Sequence, residues 1–140
     1  MSINLNLVIA QKPVDNSLQI VLVRVQEIVD IDKVKMLVGF VWNFNIFNGV
    51  KKVKRIFITG TAGFIGYHLA SLLLREGCAV FGYDCMSDYY DVRLKQKRHA
   101  MLKQNSGFDC QESKLEDFEK LSQCVQGFNP DAIIHLAAQA

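Results

Sequence analysis

A glycine-rich turn between a strand-like segment and a helix-like segment is the feature that most constrains this sequence. The turn, residues 59–66 (TGTAGFIG), follows the apolar run 55–58 and opens a helical pattern over residues 64–76. Glycine lets the backbone bend sharply and lets a pyrophosphate approach without meeting a Cβ atom. The start of the helix adds unpaired N–H groups and a partial positive charge. We therefore predict a phosphate cradle whose glycines are Gly60, Gly63 and Gly66.

Composition and charge exclude several classes of protein. Of the 140 residues, 50% are hydrophobic and 21% are charged, which is typical of one folded domain. The net charge of +2 is too small to indicate binding to nucleic acid or to an anionic membrane. The start of the chain does not have the pattern of a signal peptide. The apolar stretch 36–50 is interrupted by asparagines and is shorter than the ~20 residues that span a bilayer. We therefore predict neither a nucleic-acid partner nor a membrane partner.

The four cysteines do not have the spacing of a metal site. None forms a Cys-x-x-Cys pair, and the chain has only three histidines, so no structural zinc site is predicted. Scattered cysteines are typical of free thiols in a reducing compartment, and we expect a cytoplasmic protein. The cysteines are Cys78, Cys85, Cys110 and Cys124.

The chain divides into two parts of different character. Residues 1–52 form a β-rich N-terminal extension of unknown role, because the stretch 18–31 is dense in Val, Ile and Leu. We predict a pair of antiparallel strands there, at about 24–31 and 36–42. A β-hairpin is one interpretation of the extension, and a segment unrelated to the following domain is another.

Residues 53–140 alternate between strand and helix patterns. Alternation with short loops predicts an α/β fold, the first half of a Rossmann-type doubly wound parallel sheet. Polar residues at 109, 111 and 112 make the third strand a weak prediction. Gly77 and Gly127 are expected to end the first and third helices. The predicted strands are 55–59, 79–83, 108–111 and 132–136, and the predicted helices are 64–76, 92–104 and 117–126.

A carboxylate follows the second predicted strand, about 20 residues beyond the glycine turn. In dinucleotide-binding folds a carboxylate at this position bonds the ribose hydroxyls of adenosine. Asp84 is placed for this role, with a turn-forming residue as the alternative. Because its charge would repel a 2′-phosphate and no arginine follows at once, we expect NAD rather than NADP as the cofactor.

The motifs together resemble a known family. Residues 59–66, 82–84 (GYD) and 136–140 (LAAQA) resemble the extended short-chain dehydrogenase/reductase family. The run 87–95 (SDYYDVRLK) is similar to the NAD-dependent nucleotide-sugar epimerases, and most closely to the UDP-glucuronate 4-epimerases. The resemblance covers residues 53–140. It implies transient hydride transfer at C4 of a nucleotide sugar, with a homodimer as a candidate assembly.

The resemblance also implies roles for individual residues. The backbone groups of Phe64 and Ile65 would face the pyrophosphate. The apolar strand end would line the cofactor near its nicotinamide side, through Leu136, Ala137 and Ala138. Two positions depart from the family: Cys85 stands where asparagine is usual, and Lys114 where an aspartate often contacts the adenine. His135, within the last predicted strand, is expected to be a packed histidine.

The catalytic motif of that family is absent from this sequence. The family's base is the tyrosine of a Tyr-x-x-x-Lys motif, in which the lysine lowers the pKa of the phenol. The nearest match here is Tyr89 with Arg93, and arginine is a poor substitute. We therefore predict no catalytic residue. Two hypotheses remain: an N-terminal fragment of an epimerase, inactive by itself, or a non-catalytic NAD-binding or interaction module.

Overall fold

The chain folds around a parallel sheet that begins at residue 55. The computed structural model describes residues 5–10, 20–25, 55–88 and 91–137. The strands are β1 (Leu5–Ala10), β2 (Ile20–Val25), β3 (Arg55–Thr59), β4 (Ala79–Asp84), β5 (Phe108–Glu112) and β6 (Ala132–His135). The helices are α1 (Phe64–Arg75), α2 (Val92–Leu102) and α3 (Phe118–Phe128). No helix in this described part of the chain is long and apolar enough to cross a bilayer.

The order of the parallel strands creates a crevice beside β3. The order is β5-β4-β3-β6, so the chain steps outward from β3 to β5 and then returns to the other side of β3. Ile58 of β3 is paired with Gly82 of β4 and with Ile134 of β6. Open α/β sheets bind ligands where the strand order reverses, at the carboxyl ends of the strands. The predicted doubly wound α/β fold is confirmed, and its reversal point lies between β3 and β6.

One face of the sheet carries the aliphatic core. Ile56 and Ile58 of β3 are at most 1% exposed and pack in the same cluster as Leu69 and Leu73 of α1. Those two leucines lie four residues apart, which places them on one face of the helix. Burial of each such side chain stabilises the fold by roughly 1.5–3 kcal/mol. The predicted helical pattern is thus the buried face of α1.

The opposite face of the sheet is aromatic. The rings of Phe57 and Phe81 are stacked with centroids 5.2 Å apart. Phe128 of α3 packs on Phe81 at 5.4 Å, and the Arg55 guanidinium lies 4.4 Å from the centroid of the Phe128 ring. Offset aromatic pairs and cation–π contacts each add stability beyond the area that they bury. These contacts attach α3 to the sheet.

The helix ends agree with the sequence at Gly77 but not at Gly127. Gly77 has φ +80°, and its N–H donates to the Leu74 carbonyl while the Cys78 N–H donates to that of Leu73. This is a Schellman end, which favours glycine. The prediction that α3 ends at Gly127 is wrong, because α3 continues to Phe128 and the left-handed residue is Asn129, at φ 49°. Asparagine also tolerates that conformation.

The weak third strand of the domain is an edge strand. β5 pairs with β4 alone among the described strands. Asp109 and Glu112 on it are exposed, and only Phe108 is buried. Polar residues keep an edge strand from pairing with other chains. The position of β5 in the sheet therefore explains its polar sequence.

The N-terminal strands differ from those predicted. β1 and β2 pair antiparallel, with Leu5 opposite Val25 and Ala10 opposite Ile20. Of the predicted strands at 24–31 and 36–42, only Arg24 and Val25 fall within a described strand; residues 26–54 lie outside the described residues. The strand at Leu5–Ala10 was not predicted. The boundary between residues 52 and 53 stays a prediction.

The N-terminal pair lies beside the open edge of the parallel sheet. The Cα trace of β2 passes within 8 Å of that of β6. β6 pairs with β3 on one side, and an edge strand with an uncovered side is prone to associate with other chains.

We expect deletion of residues 1–52 to leave residues 53–140 marginally stable and prone to association. The measurement is thermal unfolding by circular dichroism at several protein concentrations. A cooperative, concentration-independent transition in the deleted chain, at the temperature of the full chain, would contradict it.

Candidate functional site

The glycine loop, residues 60–63, joins β3 to α1 at the reversal point of the sheet. Gly60 has φ +80°, and a Cβ atom built on it would lie 2.8 Å from the Ala137 nitrogen and 2.9 Å from the Leu136 carbonyl carbon. Both the backbone conformation of Gly60 and the nearby segment after β6 therefore exclude a side chain at this position. The predicted turn residue and the predicted strand end lie in backbone contact.

The start of α1 is open to an anion. A Cβ atom on Gly66 would overlap the Gly60 carbonyl, so the helix can start this close to the loop only with glycine there. Gly63 is the N-cap and makes no side-chain capping bond, and the first turn of α1 has no acidic residue. The first amides of a helix have no intrahelical acceptor. The amides of Phe64 and Ile65 therefore stand at a positive helix end that no carboxylate of its first turn neutralises.

Asp84, the last residue of β4, is tied directly to the glycine loop. Its side chain is 6% exposed, and its Oδ2 accepts a hydrogen bond of 3.0 Å from the Ala62 amide. Oδ1 accepts from the Met86 amide at 3.1 Å and lies 3.5 Å from the Lys95 Nζ. The loop predicted to bind phosphate and the carboxylate predicted to bind ribose are thus adjacent. The carboxylate is also a structural element of the loop, which the sequence did not indicate.

Thr59 organises the end of β6. Its Oγ1 accepts hydrogen bonds of 3.2 Å from the amides of Leu136 and Ala137, and lies 2.7 Å from His135 Nδ1. The Leu136 amide also lies 3.1 Å from the Thr59 carbonyl oxygen, to which it donates, so both the backbone and the side chain of Thr59 hold the end of β6. His135 is half-buried, as expected of a packed histidine, and it is hydrogen-bonded to Thr59 of β3. Ala138 lies outside the described residues.

The predicted adenine end is held by β4. The Tyr83 hydroxyl donates to the Lys114 carbonyl at 3.1 Å, and the Ser113 amide donates to the Asp84 carbonyl at 3.0 Å. The loop after β5 is therefore attached to the end of β4 beside Asp84. Lys114 itself is exposed, as is Cys85. Both departures from the family pattern lie at this side of the site.

Five polar residues near the loop were not predicted as part of the site. Arg98 Nη1 donates to the Ala62 carbonyl at 3.1 Å, and His99 Nε2 lies 2.8 Å from Thr61 Oγ1. α2 is rich in lysine and arginine, yet its His99 and Leu102 are buried. The signal that could have found them is the spacing 95, 98, 99 and 102, which forms one helical face. The five are Thr59, Thr61, Lys95, Arg98 and His99.

Residues 57–140 match the sequence model of one protein family, and similar sequences are found among UDP-glucuronate 4-epimerases. The sequence model of the GDP-mannose 4,6 dehydratase family matches residues 57–140. A probable UDP-glucuronate 4-epimerase of Rhizobium meliloti is 51% identical over 86 residues, which are 61% of this chain and 25% of that protein. The UDP-glucuronate 4-epimerase of Thermodesulfobacterium geofontis is 41% identical over 83 residues, 59% of this chain and 26% of that protein. The chain thus spans about a quarter of the length of these relatives.

Solved structures match the same part of the chain. UDP-glucuronic acid 4-epimerase from Bacillus cereus in complex with NAD has a TM-score of 0.55 and 33% identity, covering 61% of this chain and 28% of that one. The Bordetella bronchiseptica enzyme WbmH in complex with NAD⁺ has a TM-score of 0.53 and 32% identity, covering 63% and 27%. The fold of this part of the chain is therefore shared with proteins whose structures contain NAD.

The close approach of α1 to the loop predicts the effect of a single methyl group. Gly66→Ala should lower the free energy of unfolding by about 1–3 kcal/mol, because its Cβ would overlap the Gly60 carbonyl and force the helix away. The matched control is Gly127→Ala in α3, where an added Cβ has no neighbour within 4 Å. There we expect a gain of about 0.5–1 kcal/mol from helix propensity. Urea unfolding of both variants checks this; equal effects would refute the packing argument.

Proposed function

The chain belongs to the GDP-mannose 4,6 dehydratase family, and we propose that its residues 53–140 form the NAD-binding part of a nucleotide-sugar epimerase of the UDP-glucuronate 4-epimerase type. The observation that carries the proposal is the bond between the Ala62 amide and the Asp84 carboxylate, which joins a phosphate cradle to a ribose acceptor. The relatives and neighbours in which this segment recurs are named as UDP-glucuronate 4-epimerases, some in complex with NAD.

The residues present fit a dinucleotide. A Cβ atom at Gly60 or Gly66 would overlap neighbouring backbone, so only glycine lets the loop lie this close to the end of β6 and to the helix start. The amides of Phe64 and Ile65 would hold the pyrophosphate, since these amides lack helix partners. Asp84 would hold the adenosine ribose. The nicotinamide side would lie at the end of β6, along Leu136, Ala137 and Ala138.

The charge around Asp84 favours NAD over NADP. A 2′-phosphate carries up to two negative charges and would meet a carboxylate that is 6% exposed. Lys95 is the nearest cation to it, but its Nζ is shared between Asp84 at 3.5 Å and the Ser87 hydroxyl at 3.3 Å. The lysine therefore orients the carboxylate more than it offers a free charge to a phosphate.

The chemistry divides between cofactor and protein. Bound NAD supplies the hydride acceptor and donor at C4 of the sugar. The residues of this chain bind the dinucleotide, set its orientation at the reversal point of the sheet and exclude a 2′-phosphate. The sequence contains no Tyr-x-x-x-Lys motif, and we assign proton transfer to none of its residues. We therefore propose that the chain by itself binds NAD without turning over a nucleotide sugar.

A cytoplasmic location is part of the proposal. Cys85 is exposed next to Asp84, where oxidation or disulfide exchange would alter the ribose side of the site. A reducing compartment would keep this thiol intact.

The decisive measurement is the affinity for NAD and NADP by titration calorimetry in wild type and Asp84→Asn. The substitution keeps an acceptor oxygen for the Ala62 amide and removes the charge. We expect NAD binding to weaken by about 1–3 kcal/mol, or 5- to 150-fold, because a charged hydrogen bond to ribose is lost. The preference for NAD over NADP should shrink, since the repulsion of the 2′-phosphate goes with the charge.

The matched control is Glu76→Gln, the same chemical change at an exposed residue at the far end of α1. It should leave both affinities unchanged. The proposal fails if wild type binds no NAD at saturating concentration, or if Asp84→Asn binds both dinucleotides as the control does.

A further inference from the structure

Helix α2 reaches the glycine loop through two consecutive side chains. Arg98 Nη1 donates to the Ala62 carbonyl at 3.1 Å, and His99 Nε2 is hydrogen-bonded to Thr61 Oγ1 at 2.8 Å. The partners are 36 and 38 residues apart in the chain, so both bonds are tertiary. They hold two adjacent residues of the loop, Thr61 and Ala62, from α2.

Strand β4 contacts the same two loop residues. The Ala62 amide donates to Asp84, and Thr61 lies so close to β4 that a Cβ atom on Gly82 would be 2.5 Å from its Oγ1. The Thr61 side chain therefore occupies a slot between a bare glycine of β4 and the imidazole of α2. Ala62 is thus bonded to β4 and α2, and Thr61 is bonded to α2 and packed against β4.

The surroundings of the His99 imidazole favour its neutral form. His99 is 2% exposed, and its Nδ1 has no hydrogen-bond partner among the described residues. Its ring also meets the Phe108 ring edge-on, with centroids 5.8 Å apart. Protonation would add a charge and an N–H group pointing at no acceptor, which costs far more than leaving a lone pair unpaired.

The surrounding charges do not reverse this. Burial lowers the pKa of His99 below its usual 6.5, while Asp84 on β4 and Glu112 on β5 oppose the shift and Lys103 and Lys95 on the side of α2 add to it. A base whose pKa is lowered in the hydrogen-bonded arrangement takes up a proton more readily when that arrangement is broken. Neutral His99 therefore contributes its full stabilisation above about pH 6.5, and this contribution is lost as the pH falls through the lowered pKa.

We propose that Arg98 and His99 are positioning residues that hold the glycine loop in its dinucleotide-binding shape, and that the neutral state of the buried His99 makes this shape, and with it NAD affinity, sensitive to acid. The part concerning NAD rests on the function proposed above. Each side chain would act on the dinucleotide through the loop residue that it bonds, Thr61 or Ala62. The loop is thus ordered from a helix that the phosphate motif does not include.

The experiment uses the full chain in two independent readouts between about pH 5 and pH 8. The first follows the imidazole signals of His99 and the amide signals of Thr61 and Ala62 by NMR, without NAD. The second measures NAD affinity by calorimetry. The variants are His99→Gln, which keeps a hydrogen-bond partner for Thr61 but does not titrate, and His99→Leu, which has none. The control is His68→Gln, a histidine of α1 whose ring meets the rings of Phe64 and Tyr67 edge-on rather than bonding Thr61.

In wild type the loop amides should shift with the same midpoint as the His99 ring, below pH 6.5. NAD affinity should fall on the acid side by up to about tenfold per pH unit, the limit for one linked proton. His99→Gln should bind NAD near neutral pH within about threefold of wild type and lose the acid dependence in both readouts. His99→Leu should bind more weakly at every pH, and the control should behave as wild type.

The proposal is overturned if the loop amides ignore the His99 titration, or if His99→Gln keeps the acid dependence. If neither His99 variant folds, the midpoints of the ring and the amides in wild type still decide it. If NAD binds nowhere but the amides follow His99, the function proposed above fails and the positioning role stands. If NAD binding depends on Asp84 while the amide signals do not follow the His99 titration, the positioning role fails and the function proposed above stands.

Discussion

Backbone contact without intervening side chains is the constraint on which the site depends. At Gly60 the chain touches the end of β6, and at Gly66 the start of α1 touches the Gly60 carbonyl. A methyl group at either place would push β3, β6 and α1 apart. Because it is absent, the carboxyl ends of two strands and the positive end of a helix meet at one place, which is the arrangement that binds a phosphate.

Around this contact, neighbouring elements satisfy the polar groups of the loop. Thr59 bonds the amides at the end of β6, Asp84 bonds the Ala62 amide, and Arg98 bonds the Ala62 carbonyl. Contacts that fix a loop in advance reduce the entropy lost when a ligand binds. The amides at the start of α1 take no part in these contacts, and in the proposed function they would hold the pyrophosphate.

The two edge strands of the parallel sheet differ in polarity and in what lies beside them. β5 carries exposed acidic residues, which keep that edge from pairing with another chain. At the other edge β6 is apolar, with Ala132 and Ile134 buried, and the N-terminal strand β2 runs beside it. The N-terminal extension therefore has a structural relation to the cofactor domain that its own sequence did not suggest.

The local sequence was sufficient to predict the strands and helices of residues 55–136 within a few residues. Gly60, Gly66 and Asp84 were predicted as site residues from the glycine spacing and from the position of a carboxylate at a strand end, and the structure brings them together. The local sequence failed where two residues compete for one local role, as Asn129 did with Gly127 at the end of α3.

Only the tertiary structure decided what surrounds these site residues. His99 looks like one more polar residue of a basic helix, and becomes a buried partner of Thr61 only when α2 packs over the loop. Likewise, Asp84 acquires its second function, holding the Ala62 amide, only when β3 and β4 pair in register. Turns and helix starts are set by residues close in the chain, whereas burial and hydrogen-bond partners depend on contacts between residues far apart in it.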